Sequence, residues 1–183
     1  MAEATVETEK TSKRTTLKHA VDYIAVCMSK SMSNGDLAEL RRVNHQSPYS
    51  AALWRLMMAL EDKHEEVYRQ TEQETDEQEA VTRWGVLLMG MAHNVGLHGG
   101  VPLGQALAQA GWSELRFERL MRARDVSLLA LIGPMSKFLA SKAQPANWDQ
   151  VAGLLFYQEG ERARQERHKI ARAYFGALYR AQS

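Results

Sequence analysis

An all-α protein of two packed helical bundles, with no sheet, is the fold class this sequence predicts, on three observations. Apolar residues recur at helical spacing in segment after segment, and no run alternates apolar and polar residues as a half-buried strand does. Ser, Asp, Asn, Gly and Pro stand where those segments begin and end. No internal repeat or low-complexity tract interrupts the pattern.

Residues 1–14 are polar, lack apolar periodicity and are expected to form a flexible tail. Leu17, Val21, Ile24 and Met28 then define a first amphipathic helix, stopped by Ser31 to Asn34 and Gly35. Ser33 and Asp36 have capping-box spacing ahead of Leu37 and Leu40, which predicts a short second helix carrying Arg41 and Arg42. Pro48 opens a helical segment in which Leu53, Met57 and Leu60 share a face, and this runs into an acidic stretch. Val81, Trp84, Leu88 and Met91 set the next helix, closed by Asn94 and Gly96. A loop to Pro102 leads to a short helix, Leu103 to Ala110, ended by Gly111, and to an arginine-rich helix capped by Ser113. Between Asp125 and Ala140, Gly133 and Pro134 break the apolar pattern, so helix is predicted for the second part, Pro134 to Ser141. Trp148 to Tyr179 is helical with a break near Gly160, because the apolar face of Val151, Leu154 and Leu155 is rotated by roughly 150° from that of Ala163, Ile170, Tyr174 and Leu178.

With 183 residues, 45% of them hydrophobic, the chain can bury one substantial core or two small ones. The expected division is an N-terminal bundle over 15–132, including an acidic segment at 61–79, and a C-terminal bundle over 133–183. The net charge of +1 hides an uneven distribution: residues 61–80 hold nine acids against Lys63 and Arg69, a net of −7, so the remainder sums to +8. That tract repels phosphate, and a solvated helix or loop accounts for it. Cys27 is the single cysteine, so neither an intramolecular disulfide nor a thiolate metal site is expected, and a reducing cytoplasm fits. No apolar run approaches the roughly 18 residues of a membrane span, and the first residues carry charges where a secretory signal needs an apolar stretch.

The strongest chemical signal is Arg116, Arg119 and Arg122. On a helix these three fall in one arc while Phe117, Leu120 and Met121 fall on the other side, so one face packs and the other can meet phosphate. Arg41 with Arg42 forms a second basic cluster and Arg162, Lys169 and Arg172 a third. Glu161 and Glu166 neighbour the third, so a salt-bridged surface helix and phosphate contact both fit it. Three clusters together favour a nucleic-acid ligand. Gly96 to Gly100 with Gly104 lacks the order of a nucleotide-hydrolysing loop, and turn formation explains its glycines, with one phosphate on its amides a lesser alternative. His93 and His98 lack metal-ligand spacing, and no catalytic elbow or nucleophile with its base is visible; no metal, cofactor, small-molecule substrate or catalytic residue is expected. Helix, Gly111 turn and arginine helix also have the outline of a helix-turn-helix, which leaves a DNA-binding regulator reading bases through Ser113 to Arg124 as an alternative. An RNA-processing enzyme is the remote one. The exposed side of that helix is nearly all arginine, which suits backbone contact without sequence choice. Trp54, Trp84, Trp112 and Trp148 fall mostly on apolar sides, so electrostatics is expected to outweigh base stacking.

The order of segments carries a resemblance. Gly35-Asp36-Leu37-Ala38-Glu39-Leu40-Arg41-Arg42-Val43, then Leu103 to Ala108 with Gly111 and Arg116 to Ala123, then Trp148 and Gly160 to Gln165, resembles the CasB-type small subunit of the type I-E CRISPR surveillance complex, Cascade. The likeness runs from about Gly35 to Phe175. It implies an all-helical, non-enzymatic, cytoplasmic subunit, present beside a second copy of itself, with the backbone and large subunits, CRISPR RNA and target DNA as partners. It also implies support of the R-loop, the guide-target hybrid with its displaced strand. Carried over by motif, the nucleic-acid positions are Arg42, Arg122, Lys137, Arg162 and Arg164. Glu161 departs from the pattern, and the acidic segment has no counterpart in it. Sequence choice in such complexes belongs to base pairing, and a nonspecific cationic surface is what remains for the protein.

Overall fold

The computed structural model describes residues 17–74 and 76–182, so the expected tail at 1–14 lies outside the described residues. Among the described residues the chain forms α1 (17–30), α2 (Asn34–Arg42), α3 (Ala51–Glu74), α4 (Glu77–His93), α5 (Leu103–Ala110), α6 (Glu114–Arg122), α7 (Asp125–Ser141), α8 (Trp148–Phe156) and α9 (Gly160–Gln182). Two isolated bridges, Asn44 with Ser47 and His98 with Ala146, are the extended pairings among these residues, and no sheet forms.

The centre of the molecule is α4. Asp76 caps it, its side chain accepting from the Glu79 amide at 2.9 Å. From Ala80 to Ala92 it is buried on nearly every side, with Thr82 the one partly exposed residue, as expected of a helix surrounded by others. It packs against α2, α3, α7 and α8. The capping box before α2 is present, Ser33 and Asp36 each satisfying the other's backbone amide. α3 continues through the acidic stretch as helix, with one non-helical residue, His64, whose ring packs on Tyr23 of α1 at 5.3 Å.

The tightest crossing is α5 on α9. A Cβ at Gly104 would stand 1.9 Å from the Ile170 carbonyl oxygen, so a bare backbone is required for the approach. Phe117 of α6 stacks on Tyr174 of α9 at 3.9 Å, and the Tyr174 hydroxyl donates to the Trp112 carbonyl. These contacts bind the α5–α6 pair to the C-terminal helix.

Two expectations about this region need correction. α7 is helical from Asp125, not from Pro134: the carbonyl that the proline leaves without a donor belongs to exposed Ala130, where water can satisfy it. Ile132 and Gly133, on either side of the expected division, both lie within α7, and buried side chains before and after them belong to one hydrophobic cluster. Ser113 stands at the start of α6, but its side chain makes no capping bond. The break near Gly160 is present: α8 ends at Phe156, and Gly160 opens α9 with φ of 78°.

Candidate nucleic-acid interface

α6 separates its two faces as its spacing requires. Phe117 and Leu120 are buried, and Arg116, Arg119 and Arg122 are exposed. Its C-terminus is held by two further arginines. Arg124 donates to the carbonyls of Met121, Arg122 and Ala123, and buried Arg167 of α9 donates to Met121 and Ala123. Burial, with the Arg124 guanidinium beside it, pushes Arg167 down to about 10. These two cations complement the negative end of the helix, and so α6 presents its arginine face from a fixed base. Sequence spacing did not single out Arg124 or Arg167, because their acceptors are carbonyls that no side-chain pattern marks.

Arg116 lies over the Trp112 ring at 5.3 Å and, with Arg119, lines a depression against Pro134 and Phe138 of α7. Arg119 and Arg122 line the next depression along α7, beside Ser127 and Leu131. Arg122 is met at 3.6 Å by Glu118 one turn back, both exposed.

A second cationic group joins α2, α4 and α7. Arg41 donates through Nε to the Ala92 carbonyl at 2.8 Å. Burial, together with the charges of Lys137 and Arg41, holds the His93 imidazole below its usual range. Arg41 and Lys137, distant in sequence, thus both act on the one imidazole of His93. Arg41, Arg42 and Lys137 are exposed. Since Lys137 and the residues bordering the α6 arginines lie on α7, this helix links the two groups. Arg41, Arg42, Arg116, Arg119 and Lys137 have no carboxylate partner among the described residues.

The α9 positions differ. Arg164 pairs with Glu161 at 2.7 Å, Lys169 with buried Glu166 at 3.5 Å, and Arg162 lies on the Tyr157 ring at 3.7 Å. α9 packs on α5 and α8. Those three cations are engaged within the molecule, whereas exposed Arg172 of the same helix has no carboxylate partner among the described residues.

The glycine loop is tied down rather than open to an anion. Leu97, Gly99 and Leu103 donate their amides to Asn94, Ala146 and Gln150 respectively. His98, which has no acidic neighbour in sequence, finds two carboxylates through the fold: Asp22, His98 and Asp149 bring donor atoms within 4.8 Å of one another. Its Nδ1 accepts from the Trp148 amide at 3.3 Å, which places the proton on Nε2, facing Asp22 at 2.8 Å. Both ring nitrogens are thereby committed to joining α1, the loop and α8.

No helix among the described residues is long and apolar enough to cross a membrane. The family model for CRISPR-associated protein Cse2 matches residues 36–175. A chain in the crystal structure of E. coli Cascade bound to a PAM-containing dsDNA target is similar in fold, with a TM-score of 0.58 at 18% sequence identity, covering 85% of this chain and 95% of that one. Comparison with curated proteins finds no match.

Proposed function

This chain belongs to the CRISPR-associated protein Cse2 family, and from that premise we propose that it is a non-catalytic subunit of a cytoplasmic CRISPR surveillance ribonucleoprotein whose exposed cations hold nucleic-acid backbone. Its partners are the backbone and large subunits, a second copy of itself, CRISPR RNA and target DNA, the last being what the E. coli assembly of similar fold is bound to. The observation that carries the phosphate-binding reading is the set of cations without carboxylate partners on α2, α6 and α7. A cation left unpaired at a surface is available to a phosphate without first breaking an ion pair. Arg162, Arg164 and Lys169 stand in the same proposal as lesser contacts, because each must first give up a ring or a carboxylate. Support of the R-loop follows if the track meets the displaced strand or the hybrid.

The test is target retention by the assembled complex across a salt series. Replacing Arg42, Arg119 and Lys137 together by alanine is expected to lower the slope of log affinity against log salt by about 2 to 3, at about 0.7 to 0.9 for each phosphate no longer neutralised. Arg164→Ala with Lys169→Ala is expected to change it less. An unchanged slope in the triple variant removes those three residues from the site. Competition by DNA of unrelated sequence for the chain alone, without guide RNA, separates this reading from a base-reading regulator: equal competition supports backbone contact, and preference for one duplex refutes it.

A further inference from the structure

Trp84, Trp112 and Trp148 are buried, as their spacing implies, but Trp54 is not. It is 37% exposed on the outer side of α3 and lies parallel to Tyr49, which is 55% exposed, with ring planes 10° apart and centroids 6.4 Å apart. Two large aromatic rings left in water at one place mark a contact surface.

What holds them there is Gly85 on α4. A Cβ at Gly85 would lie 3.0 Å from Leu53, 3.2 Å from Val43 and 3.4 Å from Pro48, so those three side chains close over one bare position. Arg42 precedes Val43, Tyr49 follows Pro48, and Trp54 follows Leu53. The turn between α2 and α3 is closed by the two reciprocal bonds of Asn44 and Ser47. Three buried anchors on one glycine therefore bring the backbone of Arg42, Tyr49 and Trp54 to neighbouring points of the surface.

The local charges leave Arg42 as the available one. Arg55 on α3 pairs with Asp36, Glu39 accepts from the Ala52 amide at the start of α3, and Arg41 is held by Ala92. A cation beside parallel rings matches a ligand that alternates phosphate with a flat π-face. A single strand has that chemistry, whereas a duplex keeps its base faces stacked on one another.

We propose that Tyr49 and Trp54, beside Arg42, form a base-stacking platform for single-stranded nucleic acid. This rests on the phosphate-binding reading above and adds to it that the same surface takes bases as well as backbone. It also qualifies the expectation that electrostatics outweighs base stacking.

The test uses the full chain and two fluorescent oligomers of equal length, oligothymidylate and an abasic phosphodiester, at one salt concentration. Stacking of a single base should give oligothymidylate an advantage of about 5- to 140-fold over the abasic strand. Trp54→Ala, with helical content checked by circular dichroism, should lose most of that advantage and keep its affinity for the abasic strand; Tyr49→Ala should lose part, and Trp54→Phe should retain part. Arg42→Ala should weaken both oligomers alike. If wild type binds both equally, or if Trp54→Ala keeps the full advantage, the platform is refuted while phosphate binding stands, and the exposed rings then belong to a protein contact. If neither oligomer binds, both readings fall.

Discussion

Substituting Gly104 by alanine tests the packing that fixes α6 and its arginines. The new Cβ would meet the Ile170 carbonyl oxygen at 1.9 Å and the Tyr174 nitrogen at 2.8 Å, both backbone atoms of α9 that cannot swing aside. A carbon and a carbonyl oxygen approach no closer than about 3.3 Å, so the helices must separate by about 1.4 Å along that line. A gap of that size forfeits more than half of the dispersion energy across the crossing. Overpacking of this kind costs about 1 to 3 kcal/mol. The Phe117–Tyr174 stack adds about 0.5 to 1.5 kcal/mol if it opens, and the Tyr174 to Trp112 hydrogen bond about 1 kcal/mol. The expected loss is about 3 to 5 kcal/mol, a large share of the roughly 5 to 15 kcal/mol of a typical domain. In urea, with a slope of about 2 kcal/mol/M, the midpoint should fall by about 2 M. Gly176→Ala is the control: inside α9, its Cβ meets only the flexible end of Arg180 at an ordinary 3.5 Å, and replacing a mid-helix glycine should stabilise by about 0.5 to 1 kcal/mol. A Gly104→Ala protein within about 0.5 kcal/mol of wild type would refute the account of this crossing.

Two other outcomes are expected. Arg167→Met leaves the carbonyls of Met121 and Ala123 without their buried donor, so unfolding by urea should show a loss of about 2 to 4 kcal/mol, and near-wild-type stability would show that Arg124 alone suffices. His93 has a folded pKa below its unfolded value, so the unfolded chain binds more protons in the window beneath pH 6.5, and stability should fall as pH drops through it, by at most about 1.4 kcal/mol per pH unit for one proton. Thermal melts at pH 8 and pH 5.5 should show a smaller acid loss in His93→Gln than in wild type; an equal loss would place the proton uptake elsewhere, with His64, depressed by burial and by His19, the next candidate.

The features that the sequence made legible are those whose cause is local. The α6 stripe, the Ser33–Asp36 box and the break at Gly160 depend on residues within a turn or two, and each is where spacing placed it. Pro134 read as a break because its cost depends on which way the orphaned carbonyl of Ala130 faces, and that is decided by tertiary packing. His98 looked isolated because Asp22 is 76 residues away. Arg41 and Lys137 both act on His93 of α4, a relation carried by no periodicity. The α9 pairs were half legible: their three-residue spacing offered partners, while the burial of Glu166 against α8, where Gly153 makes room for it, was not visible.

The distribution of paired and unpaired cations is the physical core of the functional reading. A protein with a net charge of +1 has enough carboxylates to neutralise nearly every cation it carries, yet those of residues 61–66 are spent along α3 rather than beside α2, α6 and α7. Unpaired like charges raise one another's energy in the free protein, and His93 feels them in part: burial first, and then the charges of Lys137 and Arg41, hold its imidazole below the usual range. A polyanion lying along these cations would relieve their repulsion, so the repulsion is a contribution to binding set in place before the ligand arrives. Ion pairs such as Arg164–Glu161 store no such energy, because a phosphate must compete there with a carboxylate already in contact. On the proposed reading, a nucleic-acid strand that follows the largest gain would run from α2 over α7 to α6, and Arg164 and Lys169 of α9 would add less.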